Sequence, residues 1–252
     1  MQLNFKEICS IRGIENLYDF QKDAIEILEK GKNLIVCTGT ASGKTLIAEY
    51  GIIKTLLNDK RAIYVVPMRA LANEKYKEFK IYENFGYKVD LQIGDLDASK
   101  KYRLKFDILV ATAEKLDSIL RSGSYLGDVG FLVIDEIHFL GSPDRGSVYE
   151  ILIAKLRKKF EIQILGLSAT IGNPEDLANW LNAELIKSDF RPTKLIESVK
   201  TEKIEKIVKE KISDGNILIF VNTKRKAEEL CKKLSKIFDF KNIHNVEFED
   251  LS

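Results

Sequence analysis

Short, wholly apolar runs alternate with segments of helical period along most of this chain, and that alternation leaves few folds open. "NLIVC" (Asn33 to Cys37), "RAIYVVP" (Arg61 to Pro67), "KVDLQIG", "FDILVAT", "GFLVIDE" and "EIQILGLSAT" read as strands. The segments "YDFQKDAIEILEKG" (Tyr18 to Gly31), "GKTLIAEYGIIKTLL", "LANEKYKEFKIYENFG", "AEKLDSILRSG", "RGSVYEILIAKLRKKF" and "PEDLANWLNA" read as helices, the last opened by Pro174. A strand that is apolar throughout must be covered on both faces. The pattern therefore predicts an α/β fold with a parallel sheet between two layers of helices.

The alternation breaks at "KSDFRPTKL", where polar residues and Pro192 interrupt it, and then restarts. "TEKIEKIVKEKIS" places Ile204, Ile207, Val208 and Ile212 on one helical face, "NILIFV" reads as a strand and "TKRKAEELCKKLSKIF" as a helix. We expect one domain over residues 1–190, then a linker and the opening of a second α/β unit over 191–252. That stretch is too short for a domain of ordinary size.

Between the first strand and its helix stands "TGTASGKT", Thr38 to Thr45. The strict phosphate-loop pattern G-x-x-x-x-G-K-[ST] has Gly where this chain has Thr38, but the context is that of such a loop. A helix N-terminus offers free N–H groups and a positive dipole end to an anion. Gly43 lets the backbone approach a phosphate, Lys44 can reach the β and γ phosphates, and the Thr45 hydroxyl can sit on Mg²⁺. Asp135 and Glu136 close the buried run "FLVIDE". Ligands bind at the carboxyl ends of strands in α/β sheets, so loop and carboxylates point to one site. There Asp135 would hold Mg²⁺ and Glu136 would orient or deprotonate an attacking water. His138 has only His244 as a fellow histidine and no ligand spacing around it, which argues against zinc. A packed core histidine and a coupling role both stay open for it.

Charge adds little: 40 basic against 38 acidic residues leave a net charge of +2, too balanced to announce a nucleic-acid partner by itself. Cys9, Cys37 and Cys231 form no C-x-x-C pair and suggest neither a disulfide framework nor a metal site, in keeping with a reducing cytoplasm. No apolar run approaches the roughly 20 residues of a membrane span, and the N-terminus lacks a secretory apolar segment.

Taken together, the loop and Asp135-Glu136-Ile137-His138, a DExH box, closely resemble the superfamily-two helicases, specifically their Ski-type DExH branch. The likeness extends to about Leu234. In that branch the loop usually reads P-T-x-x-G-K-T; here Gly39, Thr40, Ala41, Ser42, Gly43, Lys44 and Thr45 keep the Gly-Lys-Thr and replace the Pro with Gly39. The helicase template also tolerates Thr38. The resemblance implies a RecA-like domain followed by the partial start of a second RecA-like lobe, with ATP and Mg²⁺ as ligands.

Further roles follow from the same resemblance. Gln21 would read the adenine edge, with Tyr18 or Phe20 as a stacking neighbour. "VVPMRALANEKY" and "ATAEKLDSILR" would grip a nucleic-acid backbone, with Arg69, Thr112 and Lys115 as candidate contacts. Ser168, Ala169 and Thr170 would link hydrolysis to strand movement alongside His138. Asn222 and Thr223, in "ILIFVNTKRKAEEL", would contact the strand from the second lobe. Such contacts position a strand without reading its sequence.

The segments look nearest to archaeal DNA-repair helicases that move 3′ to 5′. The expected function is thus an ATP-dependent DNA helicase, represented by its ATP-binding lobe. An RNA helicase of the same branch and a nucleotide-dependent binding module without turnover are the alternatives; a metabolic phosphate-loop kinase fits the DExH box poorly. The family's arginine-rich segment of the second lobe has no counterpart after Leu230. Weak activity of this chain alone is expected, as is self-association through apolar faces left without partners.

Overall fold

The computed structural model describes residues 3–94, 104–169 and 172–238. Thr170, His244 and the terminal "DFKNIHNVEFEDLS" lie outside the described residues. The chain divides into two compact units, residues 1–194 and 195–252.

In the first unit the elements run α1 (Phe5–Ile11), α2 (Asp19–Glu29), β1 (Asn33–Thr38), α3 (Lys44–Leu56), β2 (Arg61–Val66), α4 (Arg69–Phe79), β3 (Val89–Gln92), β4 (Ile108–Thr112), α5 (Ala113–Arg121), β5 (Val129–Ile134), α6 (Gly146–Lys159), β6 (Gln163–Ser168), α7 (Pro174–Leu181) and β7 (Ala183–Ser188). Short 3₁₀ turns follow α4 (Lys80–Phe85) and β5 (Ile137–Gly141). Among the described residues the seven strands form one sheet in the order β3-β4-β2-β5-β6-β1-β7. Every pairing is parallel.

Successive strand residues point to opposite faces, so each strand feeds two cores. Leu34, Val36, Tyr64, Phe131 and Val133 join the core that includes Ala24, Leu28 and Ile52 of α2 and α3. Ile35, Val65, Leu132 and Ile134 join the core formed with Leu116, Ile153 and Leu181 of α5, α6 and α7. Burial on both faces is why the strands lack polar alternation.

The parallel arrangement sends the ends of β1, β2, β4, β5 and β6 to one edge of the sheet. The segments that leave that edge are Gly39 to Gly43, Pro67 to Arg69, Thr112, Asp135 to His138, and Ser168 to Ala169. Local chemistry turns the chain there. Gly43 precedes α3 at φ 86°, in the left-handed region. Thr112 caps α5 by accepting the Lys115 N–H at 3.4 Å. Pro174 opens α7.

The second unit contains α8 (Ile204–Lys211) and α9 (Lys224–Ser235), the latter capped by the Thr223 hydroxyl, which accepts the Lys226 N–H at 3.2 Å. The strand expected over "NILIFV" is absent: residues 216–221 carry no strand pairing, and Leu218 and Phe220 are 79% and 86% exposed. A β-strand needs a neighbour to satisfy its backbone groups, and an apolar sequence alone cannot supply one.

Candidate nucleotide site and strand cleft

Lys44 is the first residue of α3, and its ammonium curls back over the loop. It donates to the carbonyls of Thr38 and Gly39, each at 2.8 Å. Burial lowers its pKa, and the negative charges of Glu136 and Asp135 oppose that shift. Two segments almost a hundred residues apart in sequence thus meet in one electrostatic site. Inside the loop the buried hydroxyls of Thr38 and Ser42 hydrogen-bond each other, and Ala41 turns the chain at φ 58°.

Gln21, only 3% exposed, ties the loop to the start of α2: its Oε1 accepts the Tyr18 N–H at 2.9 Å and its Nε2 donates to the Gly43 carbonyl at 3.0 Å. The φ of 86° favours glycine at position 43, and a Cβ there would lie 2.7 Å from that same Nε2 and displace the Gln21 amide. Tyr18 packs at 4.2 Å between ring centroids against Phe190, a neighbour that sequence reasoning missed because it is distant in the chain.

Asp135 stands just past β5. Its Oδ2 accepts from the Tyr64 hydroxyl at 2.8 Å and its Oδ1 from the Glu136 N–H at 3.0 Å. Tyr64 is fully buried, and burial together with the Asp135 charge pushes its phenol well up. Glu136 adopts φ 51°, a conformation that costs a side-chain-bearing residue about 1–3 kcal/mol and gathers at functional sites. Its Oε2 is buried without a hydrogen-bond partner and lies 3.2 Å from Nδ1 of His138. That nitrogen in turn pairs with the Ser168 Oγ at 3.0 Å. The end of β5 is therefore joined to the end of β6, with Ala169 next in the chain.

Thr45 and Asp135 offer hard oxygen donors. Among the described residues no group of three or more His, Cys, Asp or Glu could hold a metal by itself. This donor set fits Mg²⁺, which takes few protein ligands and fills its sphere with phosphate oxygens and water.

A second cleft, of about 360 Å³, opens beside this site and is lined by Pro67, Met68, Arg69, Gly94, Thr112, Glu114 and Arg145. It brings Arg69 and Thr112 together. Lys115 is 6% exposed and does not line it. Arg145 was missed from sequence: it donates to the Pro67 carbonyl at 2.6 Å, lies 3.3 Å from Glu114 and sits over the Phe139 ring. Asn222 and Thr223 belong to the second unit, where both are exposed.

Residues 18–177 match the family model described as DEAD/DEAH box helicase. The ATP-dependent DNA helicase Hel308 of Pyrococcus abyssi is 47% identical over 94% of this chain and 36% of its own length. Hel308 of Pyrococcus horikoshii is 48% identical over 92% of this chain and 34% of its length. The chain spans about a third of the length of these curated relatives. Among solved structures, the DUF1998 helicase MrfA superposes with a TM-score of 0.73 at 24% identity, covering 92% of this chain and 40% of that one. Its DNA-bound form gives 0.61 at 27% identity, covering 75% and 30%. The helicase resemblance carried by the motifs and the RecA-like fold it implies agree with these matches.

Proposed function

The chain belongs to the DEAD/DEAH box helicase family, and from that premise we propose that its first unit binds and hydrolyses Mg²⁺·ATP as the motor lobe of a DNA helicase. The observation that carries this reading is that the parallel strands send Lys44, at the start of α3 after β1, and Asp135 and Glu136, just past β5, to one sheet edge. In the proposed cycle Lys44 exchanges its two loop carbonyls for the β and γ phosphates. The N–H groups at the start of α3 receive the remaining phosphate oxygens. Thr45 and Asp135 would hold Mg²⁺, which would neutralise charge building on the phosphates. Glu136, with a buried oxygen free of hydrogen bonds, orients the attacking water. His138 and Ser168 pass the change at Glu136 to β6 and to the Ser168-Ala169-Thr170 segment. Gln21 reads the adenine.

Arg69 and Thr112 are proposed to hold the strand in the second cleft; Lys115, buried and outside that lining, is not among the proposed contacts, and Asn222 and Thr223 are separate candidate contacts of the second unit. The relatives are DNA helicases by name, which favours DNA over RNA, and 3′ to 5′ movement is the direction proposed for a helicase with both lobes. We assign residues 1–190 to the ATP-binding lobe and 191–252 to a linker and part of a second RecA-like lobe. Ile196, Val199, Leu218 and Phe220 are each at least 79% exposed and supply a surface for self-association. Three free cysteines accord with a reducing cytoplasm. Among the described residues no helix is long and apolar enough to cross a membrane.

The test is ATP turnover without nucleic acid, with single-stranded DNA and with single-stranded RNA, across a range of protein concentrations. Stimulation by DNA above RNA is expected, and a rate rising more steeply than concentration reports self-association. Stimulation by RNA alone overturns the DNA assignment. Turnover absent in every arm, with ATP still bound, reduces the chain to a nucleotide-dependent binding module.

A further inference from the structure

Lys75, on α4, reaches across to the phosphate-loop helix. Its ammonium donates to Thr45 Oγ1 at 2.9 Å and to Glu78 at 2.7 Å, and the side chain is only 12% exposed. An ammonium has donors and no acceptor, so the Thr45 oxygen must be the acceptor in this pair. The hydroxyl proton of Thr45 is thereby sent elsewhere. Tyr64 donates to Asp135 Oδ2 at 2.8 Å, the other oxygen group offered to the metal. A hydroxyl oxygen has two lone pairs and one proton. With one lone pair on Lys75, the second lone pair of Thr45 is left for the metal.

We propose that Lys75 is a positioning residue that sets the Thr45 hydroxyl to ligate the divalent cation of a metal–nucleotide. Packing alone does not account for the contact, because Glu78, three residues on in the same helix, already pairs with the ammonium. Thr45 lies on a different helix and brings the ammonium to the metal-facing oxygen. The placement of Lys75 also gives the contact a route outward. Arg69, at the start of α4, lies about 9 Å along the helix axis from Lys75 at ordinary rise and lines the strand cleft. A shift of α4 on strand binding moves the donor that orders the metal ligand. By reciprocity, metal–nucleotide binding biases the cleft.

This inference rests on the nucleotide-binding reading above, and the experiment separates the two. Binding of an N-methylanthraniloyl ATP is measured by fluorescence with saturating Mg²⁺ and with a chelator, giving the gain in affinity that Mg²⁺ confers. For Lys75→Met that gain is expected to fall about 10–100-fold, the usual cost of losing a group that orients a metal ligand, while binding in chelator stays within about twofold. In a Thr45→Ala background, Lys75→Met is expected to take nothing further from the gain, since both act through one oxygen. A packing role predicts equal losses in the two arms. Should Lys75→Met lose its cooperative melt, Lys75→Gln carries the same measurement, with at least a threefold fall expected. An unchanged Mg²⁺ gain in a folded Lys75 variant, or losses equal in both arms, overturns the inference alone. A wild-type chain that gains nothing from Mg²⁺ overturns the functional reading, and the inference with it.

Discussion

At position 49 a carboxylate that is 2% exposed faces the Arg12 guanidinium at 2.8 Å, with Tyr82 3.4 Å away. Desolvation outweighs the pull of Arg12, so the Glu49 pKa is raised above its ordinary 4.5. The folded state then binds a proton that the unfolded state has released. The stabilising contribution is complete below the unfolded value and is lost as pH rises through the raised folded value. Measured by denaturant unfolding, the stability of wild type minus that of Glu49→Gln is expected to shrink as pH climbs from about 4 to 7. A gap that is flat or widens over that range contradicts the assignment. Residues of this kind show where sequence reading stops. Gly43, Lys44, Thr45, Asp135 and Glu136 were legible because each motif is contiguous in the chain. Tyr64, Lys75, Arg145 and Phe190 were not, because their partners lie tens of residues away and only the fold brings them together. Tyr64 left a trace as a hydroxyl within the apolar run of β2, and Lys75 lay inside "VVPMRALANEKY" without being singled out.

The elements themselves were read well where strands were buried on both faces, as in β2, β4 and β5, and where helical period was long, as in α6. The helix α1, which buries Ile8 alone, and the edge strand β7, which has no fully buried residue, gave no comparable pattern. Residues 216–221 gave the pattern without the strand, since pairing depends on a neighbour. The packing of α3 offers a direct test of how closely the layers fit. At Gly51 an added Cβ would lie 2.2 Å from Cζ of the buried Phe131 ring, on the strand beneath. Alanine gains about 1 kcal/mol over glycine in a helix interior, but forcing a methyl into a packed core costs about 1–3 kcal/mol. With a fully buried ring in the way, overpacking prevails. Gly51→Ala is expected to lose about 1–2 kcal/mol in equilibrium unfolding; a variant more stable than wild type would show that α3 stands off the sheet.

For the whole molecule, the parallel order β3-β4-β2-β5-β6-β1-β7 places every candidate group of the first unit at or near one edge. The candidate nucleotide site lies at the ends of β1, β5 and β6, and the candidate strand cleft at the ends of β2 and β4. The α4 helix touches both, with Arg69 lining the cleft and Lys75 contacting Thr45. The central claim is that this edge is a nucleotide site organised by Lys44. Equilibrium binding of ATP with Mg²⁺ to wild type and to Lys44→Ala tests it most directly. Losing a charge-assisted contact of this kind is expected to weaken binding at least about tenfold, with the melting transition of the variant retained. Equal affinity in the two folded proteins would contradict the account.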